Sequence, residues 1–337
     1  MGPIMLDVEG VVLSPEDCDV IAHPLVGGII LFSRNYASRE QLQALVASIR
    51  HIKANIIIAV DHEGGRVQRF RDGFTAIPAM GALVEMAQSK SIDAKQLAKA
   101  CGQIIGFELT ECDIDLCLAP VLDIDGVSNV IGDRGFADNV EAIEPLAAAL
   151  IDGLHNMGMK STGKHFPGHG SVVADSHIDL PVDHRSLNEI MANDLQPFKR
   201  LIAQGLLDSV MPAHVVFPCV DNQPAGFSSV WVKQILRQQM GFTGVVFSDD
   251  LSMQAATVAG SAVDRTRAAL TAGCDMALVC NDREAAMDVL TKLERDFYCE
   301  SRAASLRFIK PTSDAHRQQQ YQQALAIVSQ ARELSTC

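Results

Sequence analysis

Lys164-His165-Phe166-Pro167-Gly168-His169-Gly170, with Asp175-Ser176-His177 close behind, sets a lysine, three histidines and an acid within fourteen residues. Pro167, Gly168 and Gly170 exclude a helix, and the polar content excludes a buried strand, so a loop carrying side chains to a reaction is expected. His165 and His169 are four apart, as in a zinc-binding helix, but the same proline and glycines forbid that helix. With no HExxH motif and no cysteine nearby, no metal and no organic cofactor is expected. Acid/base work by His177 is the simpler chemistry, because an imidazole titrates near neutrality without extreme burial. Asp175, two residues away, would orient that imidazole and raise its basicity. His184, beyond Pro181 in a polar run, reads as solvated.

Three other segments carry candidate groups. Val245-Val246-Phe247-Ser248-Asp249-Asp250 is an apolar run ending in two acids; Asp249 emerges directly from it and is read as functional, Asp250 as loop support. Asp61 to Arg69 follows the apolar run 56–60, and Asp61 with Arg69 offers an acceptor beside a forked donor. An internal loop salt bridge fits those two residues equally well. Arg134, between Gly132 and Gly135, suits either a bound substrate or a loop-stabilising ion pair.

The elements that must position these groups alternate regularly. Strands are predicted at Ile4–Val8, Gly28–Phe32, Ile56–Asp61, Leu116–Pro120, Gly158–His165, Ser209–Ala213, Val245–Asp249 and Met276–Cys280. Helices are predicted at Ser38–Lys53, Ser91–Asp113, Val140–Asn156, Leu187–Gln204, Ser229–Met240, Ala262–Ala272 and Arg283–Phe297. That alternation fits one (β/α)8 TIM-type barrel over residues 1–337, closed by helical structure after Thr312. A doubly wound sheet fits less well, because Glu63-Gly64-Gly65-Arg66 lacks the GxGxxG spacing of a phosphate turn. Asp61, Asp123, Lys164, His165, His214, Asp249 and Asp250 all fall where strands end, and barrel active sites lie at that rim.

Composition narrows the function classes. A net charge of −13 without basic clusters argues against nucleic acid, whose affinity rests on Lys and Arg, and against an anionic membrane surface. The first nine residues carry two acids and no positive start, unlike a signal peptide. Nine cysteines with no CxxC pair read as reduced thiols, and a cytoplasmic setting is expected.

Together, Asp61–Phe70 (DHEGGRVQRF), Ile131–Phe136 (IGDRGF), Gly163–Gly170 (GKHFPGHG), Ala174–His177 (ADSH) and Phe247–Met253 (FSDDLSM) resemble glycoside hydrolase family 3. The likeness is to its single-domain bacterial β-N-acetylglucosaminidases of peptidoglycan recycling, and it spans most of the chain. The resemblance implies Asp249 as the nucleophile of a covalent glycosyl-enzyme and His177, assisted by Asp175, as acid/base on a mobile loop. It implies Asp61, Arg69, Arg134, Lys164 and His165 as ligands of the terminal sugar. The implied substrate is N-acetylglucosaminyl-1,6-anhydro-N-acetylmuramic acid with a stem peptide, and a cytoplasmic monomer is expected.

The chemistry agrees with this. Retention needs a nucleophile below the anomeric carbon and a proton donor at the leaving oxygen. A His/Asp pair supplies that donor without the burial that raises a carboxylic acid's pKa. The second domain that supplies a glutamate acid/base in many relatives has no room here, and His62 stands where many relatives are expected to have glutamine. Three tyrosines and one tryptophan leave few stacking platforms, which favours a small exo-acting pocket. A phosphorylase using the same nucleophile, a metal-dependent hydrolase and a non-catalytic sugar-binding barrel remain as alternatives.

Overall fold

A computed structural model of the chain describes residues 1–174, 176, 179–294, 297, 302–308 and 314–333. Parallel strands appear in every one of the eight expected places: β1 (Ile4–Leu6), β2 (Val26–Leu31), β3 (Ile57–Val60), β4 (Leu116–Cys117), β5 (Thr162–Phe166), β6 (Ser209–Pro212), β7 (Val245–Val246) and β8 (Ala277–Leu278). They form a curled five-stranded sheet, β8-β1-β2-β3-β4, and a three-stranded one, β7-β6-β5. Single parallel bridges link the flanks of β4 and β5 at Leu116/Lys160 and Val121/Lys164, and those of β7 and β8 at Phe247/Met276.

Side chains alternate across a strand, and here both faces are apolar because both are covered. Met5, Ile30, Ile57 and Ala59 join an inner cluster with Met211, Phe247 and Met276. Their neighbours Ile4, Leu6, Ile29, Leu31, Ile58 and Val60 pack outward into the larger core shared with the helices. Ala303 and Leu306, from the short helix Arg302–Leu306, belong to the inner cluster too. Asp115, just before β4, accepts the Phe308 amide at 3.0 Å and the Ile58 amide at 2.8 Å, fastening this segment beneath the sheet.

The helices depart from expectation in four places. Pro15–Ala22 was not foreseen: Ser14 and Asp17 form a reciprocal cap around Pro15, and the buried Asp17 pairs with Arg283. Leu83–Lys90 was not foreseen either: it ends where Ser91 takes a left-handed conformation at φ 57°, and the helix expected over Ser91–Asp113 follows as Ala94–Thr110, capped by Asp93. Leu187–Gln204 is broken into Leu187–Ala192 and Leu195–Ala203. The C-terminal helix Ala315–Arg332, expected to close the barrel, instead lies on the flank against Ala94–Thr110, where Tyr321 stacks on Phe107 at 4.3 Å. Among the described residues, no helix is long and apolar enough to cross a membrane.

Ala94–Thr110 and Val140–Asn156 cross on glycines. A Cβ at Gly102 would lie 2.1 Å from the Leu150 carbonyl oxygen, and one at Gly153 would lie 2.2 Å from that of Lys99. On an open helix Gly→Ala gains up to about 1 kcal/mol. Here Gly102→Ala is expected to lose about 3 kcal/mol by overpacking, read from urea unfolding. A stabilised variant would show that the helices can separate freely.

Candidate active site

The candidate groups converge above the C-terminal ends of the strands, around a cavity of about 590 Å³. β3 leads into a short hairpin, His62–Gly64 with Val67–Gln68, which returns Arg69 to the residue that leaves the strand, Asp61. Arg69 Nη2 donates to Asp61 Oδ2 at 3.0 Å. From β5, Lys164 Nζ reaches Asp61 Oδ1 at 2.8 Å and Glu63 Oε1 at 2.7 Å. Arg134 completes the array with a two-pronged contact to Glu63 at 2.8 and 2.9 Å.

Two acids therefore interleave with three cations, with little solvent present to screen them. Burial raises the carboxyls of Asp61 and Glu63, but the adjoining cations outweigh it. They hold Asp61 well below the carboxylate range and bring Glu63 to about 2. Burial also disfavours the Lys164 ammonium, yet Asp61 and Glu63 prevail and raise it above its ordinary value. Asp61, Glu63, Lys164 and Arg134 thus stay charged at neutral pH.

His165 Nδ1 donates to Asp123 Oδ2 at 2.7 Å, and the same carboxylate receives the backbone amides of His165 and His169. A carboxylate partner requires the proton on Nδ1, so Asp123 fixes the tautomer and the ring plane of His165. Asp249, just beyond β7, lines the cavity with Asp61, Arg69, Lys164 and His165. Burial pushes its carboxyl up, but His214, His165, the Asp250 amide and Lys164 together hold it below its ordinary value. His214 is itself pushed toward the neutral form by burial. The Asp250 amide, donating to Asp249 Oδ1 at 2.8 Å, and the permanent charge of Lys164 therefore persist at neutral pH.

Asp250 plays the supporting part expected of it. Its carboxylate accepts the Ser252 and Cys280 amides and the Asn281 side chain, and burial pushes it up to about 6. His62 packs against Phe70 and Phe74, and burial brings it down to about 3, so it enters the frame behind the site as a neutral ring.

The structure thus brings together Asp249, Asp61, Arg69, Arg134, Lys164 and His165. Asp175 and His177 lie outside the described residues; Ser176, between them, lines the cavity. Glu63 and Asp123 were given no role from sequence. Glu63 sits inside the DHEGG segment and Asp123 among the strand-end acids, so position was the available signal. Among the described residues, no group of three or more His, Cys, Asp or Glu is arranged to hold a metal ion.

A curled parallel sheet flanked by helices, with its charged pocket at the carboxyl ends of the strands, has the arrangement of an α/β enzyme. The chain matches the glycosyl hydrolase family 3 N-terminal domain over residues 5–298 and belongs to that family. It is 54% identical over 307 residues to a beta-hexosaminidase of Tolumonas auensis, covering 91% of this chain and 90% of that one. Native NagZ from Neisseria gonorrhoeae superposes with a TM-score of 0.89 at 43% identity, covering 98% of this chain and 97% of the other. The same Neisseria protein in complex with N-trifluoroacetyl-D-glucosamine also gives 0.89 at 43% identity, with 98% of each chain covered.

Proposed function

We propose that this chain is a retaining exo-β-N-acetylglucosaminidase that removes terminal N-acetylglucosamine from 1,6-anhydro-muropeptides in the cytoplasm, as part of peptidoglycan recycling. The fold is read as a closed (β/α)8 barrel forming one catalytic domain over residues 1–337, acting as a monomer. The Neisseria relative's complex with an N-acylated glucosamine and the beta-hexosaminidase relatives support the sugar assignment. The pocket volume, about 590 Å³, suits one sugar with part of its aglycone.

The observation that carries the reading is Asp249: a carboxylate at a strand end, kept ionised and lining a pocket otherwise ringed by charged donors and acceptors. Its oxygen attacks the anomeric carbon, forming an ester with the sugar, while the glycosidic oxygen leaves with a proton from His177. His177, its ring braced by Asp175, then takes a proton from water as that water cleaves the ester. Asp61, Arg69, Arg134, Lys164 and His165 grip the sugar. Their pairings with one another and with Glu63 and Asp123 hold each donor in place before the sugar arrives, which lowers the ordering cost of binding.

A slow 5-fluoro N-acetylglucosaminide tests this. The labelled peptide is expected to carry the sugar on Asp249; a label elsewhere, or an oxazoline made by the substrate's own acetamido group, overturns the covalent assignment. Free N-acetylglucosamine is expected as product with or without phosphate. Sugar-1-phosphate as the main product would make the enzyme a phosphorylase.

A further inference from the structure

His169 and Ser176 are used by nothing described so far, yet both are buried at the pocket. Ser176 is 2% exposed, although the chain is 63% exposed at Val173 and exposed again at Asp179. A small polar residue that dives inward from an exposed segment needs partners. It has two, from different sides. Its hydroxyl lies 3.3 Å from His169 Nε2, and its carbonyl accepts the Ala255 amide at 3.1 Å. Ala255 belongs to the short helix Gln254–Ala259, which follows Asp249 in the chain.

His169 is held rigidly in turn. Its amide donates to Asp123 Oδ1 at 2.8 Å, its ring meets that of His165 edge-on at 6.1 Å, and Nδ1 lies 3.5 Å from the Ser128 hydroxyl. The next turn of chain is pinned as well. Ser128 donates its amide to the Gly170 carbonyl at 3.1 Å, and a Cβ on Gly170 would fall 1.8 Å from the Ile124 carbonyl oxygen. Burial keeps the His169 imidazole below its ordinary value, so the neutral ring can donate from one nitrogen and accept at the other.

We infer that His169 and Ser176 are positioning residues: the imidazole–hydroxyl contact, with the Ala255 amide, docks the segment carrying Asp175 and His177 at the pocket. The inference rests on His177 being the acid/base. One carboxylate, Asp123, would then set both the sugar-gripping His165 and the anchor for proton transfer.

A positioning role differs from mere stability in which substrates it affects. Proton donation matters for a poor leaving group and little for a dinitrophenolate. Ser176→Ala and His169→Leu are each expected to lower kcat/KM on an alkyl-linked N-acetylglucosaminide by about 10–100-fold, the scale of an ångström misplacement. The loss on the dinitrophenyl glycoside is expected to be far smaller. His169→Gln, which can still bond the hydroxyl, should recover most of the loss, and the double variant should be little worse than the worse single one. Equal losses on both substrates, or additive losses, would overturn the inference. His177→Ala is the reference. If it discriminates steeply between leaving groups while Ser176→Ala does not, the anchor alone fails. If His177→Ala is itself indifferent, the acid/base assignment falls and the anchoring role with it.

Discussion

Asp249→Ala is expected to lower kcat by about 10⁴-fold or more, equivalent to ~5.5 kcal/mol of transition-state stabilisation. The size follows from what the carboxylate does. A nucleophile replaced by a methyl group leaves the sugar bound but gives the anomeric carbon no partner on the face opposite the leaving group. Folding should suffer little, because Asp249 is only part-buried and its side-chain bond is a local one to the next amide. The vacated space admits a small anion. Added azide should displace the leaving group of a dinitrophenyl N-acetylglucosaminide directly and yield the α-glycosyl azide. Retention of more than about a tenth of wild-type turnover would remove Asp249 from the mechanism, whatever its neighbours do.

That Asp249 could be singled out from sequence has a physical reason. A run of β-branched and aromatic residues that ends abruptly in an acid marks where a buried strand meets the open rim of the sheet. Asp61 and Lys164 were legible for the same reason. Asp123 was legible as a strand-end acid but not in its role, and Glu63 not at all, because what defines them is a partner far along the chain. Glu63 meets Arg134, 71 residues on, and Asp123 meets the His165 ring, 42 residues on. Spacing within a loop carries no record of such pairings.

The helical misses are of another kind. Pro15–Ala22 has only eight residues and three acids, and its burial depends on an ion pair between Asp17 and Arg283, residues at opposite ends of the sequence. Leu83–Lys90 is equally short, and its end is set by one φ angle at Ser91, a residue type that elsewhere begins helices well. Arg134 had been balanced between substrate contact and ion pair. It makes the ion pair and lines the pocket as well, so these alternatives were never exclusive.

Lys164→Met tests the charged array through stability. The ammonium is 3% exposed and is the only group bonded to both Asp61 and Glu63 among the contacts described. Methionine fills similar space but leaves two buried carboxylates facing each other, with Arg69 and Arg134 as their remaining partners. Removing one member of such a network costs about 3 kcal/mol at pH 7, since the charges left behind stay desolvated. The pH dependence identifies the cause. In the wild type both acids titrate below their unfolded values, so their contribution is complete above about pH 5 and fades only as pH falls from about 4 toward the folded values. In the variant, burial and mutual repulsion raise at least one folded pKa above its unfolded value, so that group destabilises at neutral pH and is relieved by protonation. Urea unfolding should therefore show a gap between the two proteins that is widest at pH 7 and narrows toward pH 4.5. A gap that is constant over this range would mean that Lys164 matters through packing of its alkyl chain, and that Asp61 and Glu63 do not depend on it for their charge.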